Sequence, residues 1–362
     1  MNHLNSEHVF IIAEAGVNHN GQKDMAFALV DVAAEAGADA VKFQTFDAPK
    51  LASKSAPKAA YQKLRTDAAE SQLVMLKKLE LPREWHRELQ AYSQKKGIEF
   101  LSTAFDTDSL TFLVEMDIPV FKVPSGELTN GPLLWQFART RKPLILSTGM
   151  ATLSEVEQGL AIVAHGLSAD AEPANMDEVW RNWSKAEKRM ALCNHIALLH
   201  CTSQYPTPVN EVNLRGMDTL ASAFGLDVGY SDHTEGILIP IAAVARGAKV
   251  IEKHLTLDRT LPGPDHKASL EPGELKQMVN DIRALQAALG DGCKAPQDSE
   301  WDTRLAARQQ VVAARGIAAG AVLERQDLMT ARSGRGMSPS NLWGLVGQIA
   351  NRAYAAGDVI EK

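Results

Sequence analysis

Short apolar runs alternate with longer amphipathic segments along most of this chain. The runs are VFIIAE (9–14), AVKFQ (40–44), EFLST (99–103), VFKVPS (120–125), PLILST (143–148), IALLHCT (196–202), LDVGYSD (226–232) and AKVIEKH (248–254). Each has the length of a strand and is rich in aliphatic or β-branched residues, the pattern of strands buried on both faces. Between them lie segments with helical spacing, such as MAFALVDVAAEAG (25–37), where Gly37 is placed to cap the C-terminus, and GILIPIAAVARG (236–247). Eight strand–helix units ending near residue 290 predict an α/β fold, a (β/α)8 TIM barrel, with a doubly wound sheet as the other arrangement of the same units.

The segment GLSADAEPANMDEVWRNWSKAEKRMALCNH (166–195) is long for a connection and reads as an extension of a barrel helix on the outer wall, with Trp180 and Trp183 as packing residues. After the amphipathic stretch LKQMVNDIRALQAALG (275–290), Gly, Pro and polar residues mark a linker. The expected division is a barrel over 1–290, a linker over 291–305 and a second domain over 306–362. That last piece has short apolar stretches broken by Gly-rich turns, which predicts a compact, turn-rich unit.

A net charge of −6 argues against a generic nucleic-acid binder but leaves room for Lys and Arg gathered in one pocket. Cys193, Cys201 and Cys293 have no CxxC spacing, so neither a disulfide framework nor a zinc knuckle is expected, and a reducing cytoplasm is the natural setting. The stretch MNHLNSEHVFIIAEAG has no basic flank before a long apolar core, and no run of about 18 apolar residues occurs, so neither export nor a membrane span is expected.

Catalytic groups of a parallel barrel gather at the carboxyl ends of its strands. Those positions hold Glu14, Lys42 with Gln44, Thr103, Lys122 with Ser125, Ser147 with Thr148, Thr202 leading to Tyr205, Ser231 with His233, and Glu252 with His254. Ser and Thr there can simply cap the next helix. Lys42 and Lys122 cannot, because a cation opposes the dipole at a helix N-terminus. His233 and His254 stand one strand–helix unit apart, so a barrel brings both imidazoles to one rim, where they can hold a divalent metal. With carboxylates nearby and no thiolate among the candidates, Mn, Mg or Zn suits the set. The lysines and hydroxyls fit a phosphate or carboxylate, and Glu14, Glu127 and Asp265 are candidates for proton transfer. A Schiff base on a lysine is the competing chemistry, but it needs a depressed lysine pKa and would make the histidine pair superfluous.

The ordered motifs AEAGVNHNG (13–21), AVKFQTF (40–46), APKAAYQ (56–62), ESQLVMLKKLEL (70–81), LSTAFD (101–106), KVPSGEL (122–128), LSTGMAT (146–152), LLHCTSQYPTP (198–208), GYSDHTEG (229–236), EKHLTLDRTLPGPDHKASLEP (252–272) and RSGRGMSP (332–339) resemble the bacterial N-acetylneuraminate (sialic acid) synthase family, end to end. The resemblance implies a TIM barrel followed by an antifreeze-like (SAF) domain. The activity it implies is condensation of phosphoenolpyruvate with an N-acetylmannosamine-type sugar to a nine-carbon 2-keto acid plus phosphate. It assigns the metal, Mn2+ or Mg2+, to His233 and His254. Lys42, Lys122, Thr103, Ser125, Ser147 and Ser231 match positions around phosphoenolpyruvate; Glu14, Glu127, Tyr205 and Asp265 match positions around the sugar and the reacting centre. Gln44 and Ser203 fall in the same substrate-binding motifs. Arg332 matches an arginine that meets the sugar's N-acetyl group from a neighbouring subunit, which implies a domain-swapped homodimer. From the residues alone Arg332 reads as a solvated loop cation. The product implied first is N-acetylneuraminate; the alternative is legionaminic acid made from 2,4-diacetamido-2,4,6-trideoxymannose. A non-enzyme reading, a carbohydrate- or ice-binding protein acting through its small domain, leaves the rim residues without a purpose. Ser333, where the family pattern has Pro, is a departure expected to loosen the loop carrying Arg332, and the Gln309–Gln310 pair makes the opening of the small domain less typical.

Overall fold

The computed structural model describes residues 8–67 and 69–361. Its contacts divide into one unit ending at Gly290 and a second beginning at Asp291. In the first, eight parallel strands close a barrel in chain order: β1 (Phe10–Gly16), β2 (Ala40–Thr45), β3 (Glu99–Ala104), β4 (Phe121–Val123), β5 (Leu144–Ser147), β6 (Ile196–Cys201), β7 (Asp227–Asp232) and β8 (Val250–His254). Each apolar run of the sequence is one of these staves. The barrel, rather than the doubly wound sheet, is the arrangement adopted.

Strand periodicity then sorts every side chain to one side of the wall. On β2, Lys42 and Gln44 face the barrel cavity, while Phe43 faces the helical layer and stacks on Phe100 at 5.8 Å. The helix Lys23–Ala36 buries Ala26, Leu29, Val30 and Ala33 against that outer face and ends as expected at Gly37, whose φ of 81° lets its N–H reach the Ala34 carbonyl. Polar residues on the outer face are satisfied locally. His86 Nδ1 donates to the Pro82 carbonyl, so its Nε2 accepts from the Thr45 hydroxyl at 2.7 Å, which itself meets Ser102.

These buried rings make stability pH-dependent. Burial lowers His19, His86, His233 and His266 to about 4 and holds His254 well below the ordinary imidazole value. The folded state therefore holds neutral imidazoles that the unfolded chain protonates below about 6.5. Stability from this source is present above pH 6.5 and lost as pH falls toward 4, by about 2 kcal/mol per fully buried ring at pH 5. Asp265 and Glu14, raised by burial, act in the opposite sense but are fewer. The urea midpoint is expected to drop between pH 7 and pH 5; a midpoint that holds or rises contradicts this.

Three expectations change. The run 120–125 forms strand only over Phe121–Val123, because Pro124 supplies no N–H and the chain turns into a 3-10 turn at Ser125–Glu127. The 166–195 segment is not one extended helix. The barrel helix Leu153–Ser168 stops at Ala169, and short helices Met176–Trp183 and Ala186–Met190 follow, the first capped by Asn175. Trp183 packs on the core and its indole donates to Glu157 at 2.9 Å, whereas Trp180 is 38% exposed. In the stretch expected as linker, a helix forms over Trp301–Ala307.

The second unit pairs β9 (Gln309–Ala313) antiparallel with β10 (Leu328–Arg332) and adds isolated bridges Ile317–Tyr354 and Val322–Ile349 around a core of Val311, Leu323, Leu328, Leu345 and Ile360. Ser333 does not loosen its loop. Its N–H and hydroxyl both donate to Gln310 Oε1 at 3.0 Å, so the two departures from the family pattern compensate each other. Among the described residues no helix is long and apolar enough to cross a membrane.

Candidate active site

The carboxyl ends of the strands surround a cavity of about 420 Å3. Into it project Glu14 from β1, Lys42 and Gln44 from β2, Thr103 from β3, Lys122 from β4, Ser125 and Glu127 from the following turn, and Ser147 from β5. Ser203 and Tyr205 beyond β6, Ser231 from β7, His233 just after it, His254 from β8 and Asp265 complete the ring. Of the barrel residues proposed for the site from the sequence, all but Thr148 and Thr202 are among the lining. Arg332 belongs to the second unit, where it is exposed at the end of β10. Three rim residues serve the fold instead: Thr148 donates to the Leu199 carbonyl, Thr202 lends its carbonyl to His233, and Asp232 lies on the outer face of β7.

The cavity floor is a four-charge network. Lys42 Nζ lies 2.5 Å from Glu14 Oε2 and 3.4 Å from Glu252 Oε2, and donates to Thr103 at 2.9 Å. Lys122 meets Glu252 Oε1 at 3.1 Å, where Ser231 also donates at 2.8 Å. Burial alone would lower the Lys42 pKa, but Glu14 and Glu252 outweigh it and keep the ammonium protonated. Burial opposes ionisation of Glu252 too, yet Lys122 and Lys42 hold it below the ordinary carboxylate range. Burial raises Glu14 against the pull of Lys42. Two cations facing two carboxylates leave the floor near neutral, so a multiply charged anion bound there calls for further positive charge.

The imidazoles converge. Ring centroids of His233 and His254 lie 5.3 Å apart, with Tyr205 packed on His233 at 4.0 Å. His233 Nδ1 donates to the Thr202 carbonyl at 2.7 Å, which fixes the tautomer and leaves Nε2 with its lone pair. His254 Nδ1 is buried without a hydrogen bond, 3.9 Å from Asp265 Oδ2. Burial, joined for His254 by the neighbouring ring, keeps both imidazoles neutral at pH 7. Neutral rings with a free nitrogen are what a borderline divalent cation requires. Among the described residues no three His, Cys, Asp or Glu side chains cluster as a ready metal cage, so a cation held by this pair keeps positions open for water and substrate. Burial, with the Glu14 charge adding to it, pushes Asp265 up to about 7.

A Schiff base finds no support on this floor. Lys253, whose pKa burial lowers, lies on the outer face of β8, away from the cavity, fully buried against Asp232 at 2.6 Å.

Residues 29–294 match the model of the NeuB family and residues 308–362 match the SAF domain. The chain is 46% identical to the N,N'-diacetyllegionaminic acid synthase of Campylobacter jejuni, over 97% of this chain and 98% of the relative. It is 44% identical to the enzyme of the same name from Legionella pneumophila, over 97% and 93%. The chain belongs to the NeuB family. Among solved structures, the N-acetylneuraminic acid (sialic acid) synthetase of Leptospira borgpetersenii superposes with a TM-score of 0.66 at 35% identity, covering 82% of this chain and 90% of that one.

As a NeuB-family member the protein is an enzyme, a synthase of the nonulosonic acid class, as the motifs implied. The comparisons support the alternative sugar better than the one implied first: the relatives at 46% and 44% identity are named for N,N'-diacetyllegionaminic acid, and the solved structure named for sialic acid stands at 35%. Sequence reasoning also passed over residues that the geometry brings in. Glu252, placed from the sequence at a strand end but given no role there, ties both lysines together; its position two residues before His254 on one strand face was the available signal. Cys201, weighed in the sequence only for disulfide or zinc spacing, touches Ser125 at 3.2 Å from the end of β6. Tyr61, its ring tilted against Tyr205 with centroids 5.0 Å apart, comes from the long β2–β3 connection. Unusual loop length at the catalytic end of a barrel was the clue there.

Proposed function

We propose that this enzyme condenses phosphoenolpyruvate with open-chain 2,4-diacetamido-2,4,6-trideoxymannose to N,N'-diacetyllegionaminic acid and phosphate. C3 of phosphoenolpyruvate forms the new bond to the aldehyde carbon, the aldehyde oxygen becomes a hydroxyl by taking a proton, and water adds at C2. The tetrahedral centre then expels phosphate by C–O cleavage. The observation that carries this reading is the convergence of a neutral imidazole pair and a two-lysine floor in one cavity. Lys42 and Lys122, held by Glu14 and Glu252, orient the carboxylate and phosphate, with Ser125, Ser147 and Ser231 as hydroxyl donors. Ser147 Oγ is buried without a partner and suits an incoming phosphate oxygen. His233 and His254 would hold a divalent ion, Mn2+ foremost, which when bound polarises the aldehyde and offsets the anion's charge. Asp265, raised to about 7, and Glu14, raised by burial, line the same cavity and are placed to move a proton to or from the new hydroxyl.

Two tests follow. Phosphate release from phosphoenolpyruvate should require the diacetamido sugar, stop with chelator and return with Mn2+; release unaffected by chelator, or a borohydride-trapped lysine adduct, counts against the mechanism. Arg332 is proposed to reach the sugar's acetamido group from a second copy of the chain. Mixing inactive Arg332→Ala and Lys122→Met chains should then recover activity, about a quarter of wild type at random pairing if intact sites combine both; no recovery in verified mixed dimers rejects the exchange.

A further inference from the structure

The cavity has two unlike halves. The ends of β4 to β7 supply Ser125, Ser147, Ser203 and Ser231, and the strands β1, β2 and β3 carry Glu14, Lys42 and Thr103 on the floor, whereas the loops after β1, β2 and β3 present Val17, Leu51, Met75, Leu76 and Phe105. These belong to a small separate core centred on Val17, Phe46, Met75 and Leu79. Amid that apolar wall stand Gln62 and Gln72, also on the lining. The wall is built to keep its shape. Lys58, its side chain 2% exposed, donates to Thr66 Oγ1 at 2.8 Å and to the Asp67 carbonyl at 2.7 Å, and meets Glu70 at 3.2 Å. Glu70 in turn binds Lys78 of the helix Gln72–Leu79, so one buried ammonium fastens the segment to the helix that carries Met75 and Leu76.

We propose that this wall reads the far end of the sugar: Leu51 and Leu76 receive the methyl of a 6-deoxy chain, Gln72 and Gln62 meet its second acetamido group, and Lys58 holds the segment in register. The inference rests on the diacetamido-trideoxy reading above and assigns residues to it. The phosphate-binding hydroxyls occupy the β4–β7 half and the imidazoles sit on β7 and β8, beside β1 in the closed barrel. A sugar with its aldehyde at the imidazoles therefore extends away from the phosphate over β1 to β3. A hydroxyl pressed on Leu51 and Leu76 loses water without gaining a partner, while a methyl loses nothing.

The test is kcat/KM for 2,4-diacetamido-2,4,6-trideoxymannose against N-acetylmannosamine, in wild type, Leu76→Asn, Leu51→Asn and Gln72→Leu, with KM for phosphoenolpyruvate and thermal melting as controls. Wild type should prefer the diacetamido sugar by about 100-fold, and either asparagine variant should narrow that ratio about 10-fold. Gln72→Leu should raise KM for the diacetamido sugar and leave that for N-acetylmannosamine in place. Folded variants that keep the wild-type ratio overturn the wall's role, because packing alone would lower both sugars together. Wild type that prefers N-acetylmannosamine, or releases phosphate with neither sugar, instead overturns the functional reading beneath it. Leu51, half-buried, keeps the question open to a folded protein should Leu76→Asn melt early.

Discussion

Lys122→Met is expected to lower kcat/KM for phosphoenolpyruvate by about 100- to 1000-fold, the loss seen when one preorganised donor to a developing anion is removed. The chain should still fold. Glu252 retains Lys42 at 3.4 Å and the Ser231 hydroxyl at 2.8 Å, so removing Lys122 does not strand a buried charge. Lys122→Arg is expected to fail as well, since a planar guanidinium cannot occupy the position of a compact ammonium among Glu252, Thr103 and Ser231. Steady-state kinetics with a parallel melting curve separates the two effects. Activity within about threefold of wild type would remove Lys122 from the anion site.

Lys253→Met carries the largest expected loss of stability. Lys253 and Asp232 are both fully buried, register partners on β8 and β7, and their 2.6 Å ion pair lies on the outer face of the strands that lead into His254 and His233. Removing the ammonium leaves an uncompensated carboxylate, at about 3–5 kcal/mol. For a domain of this size that is a fall in Tm of about 10 °C. Lys253→Met with Asp232→Leu should recover much of the loss, because replacing both charges by apolar groups removes the desolvation penalty along with the attraction. A double variant no more stable than the single one would show that the pair is needed for more than its own neutralisation.

The barrel was legible because each stave carries its own signal: aliphatic runs such as IALLHC need no distant partner to be recognised, and Gly37 closes its helix by a local rule. The floor was legible for the same reason, since Lys42, Lys122 and His254 lie in or at the end of apolar runs that are strands. What the pattern could not supply was pairing across the barrel. Nothing local says that Glu252 will span Lys42 and Lys122, or that Lys253 will face away from His254 toward Asp232, until the register of eight strands is fixed. The 166–195 segment was misread because charged, amphipathic turns look alike whether they continue one helix or start another; the Asn175 cap, which divides them, is a single residue. The wall around Tyr61 lay in a connection whose residues gain meaning only from the cavity over which they fold.

His233 and His254 are together proposed to hold a divalent ion beside the lysine floor. Mn2+ binding to chelator-stripped protein, followed by electron paramagnetic resonance, tests it without any turnover. Wild type should bind one ion per chain, and His233→Ala and His254→Ala should each weaken that binding about 100-fold or more. Stoichiometric binding of unchanged affinity in both variants would contradict the account.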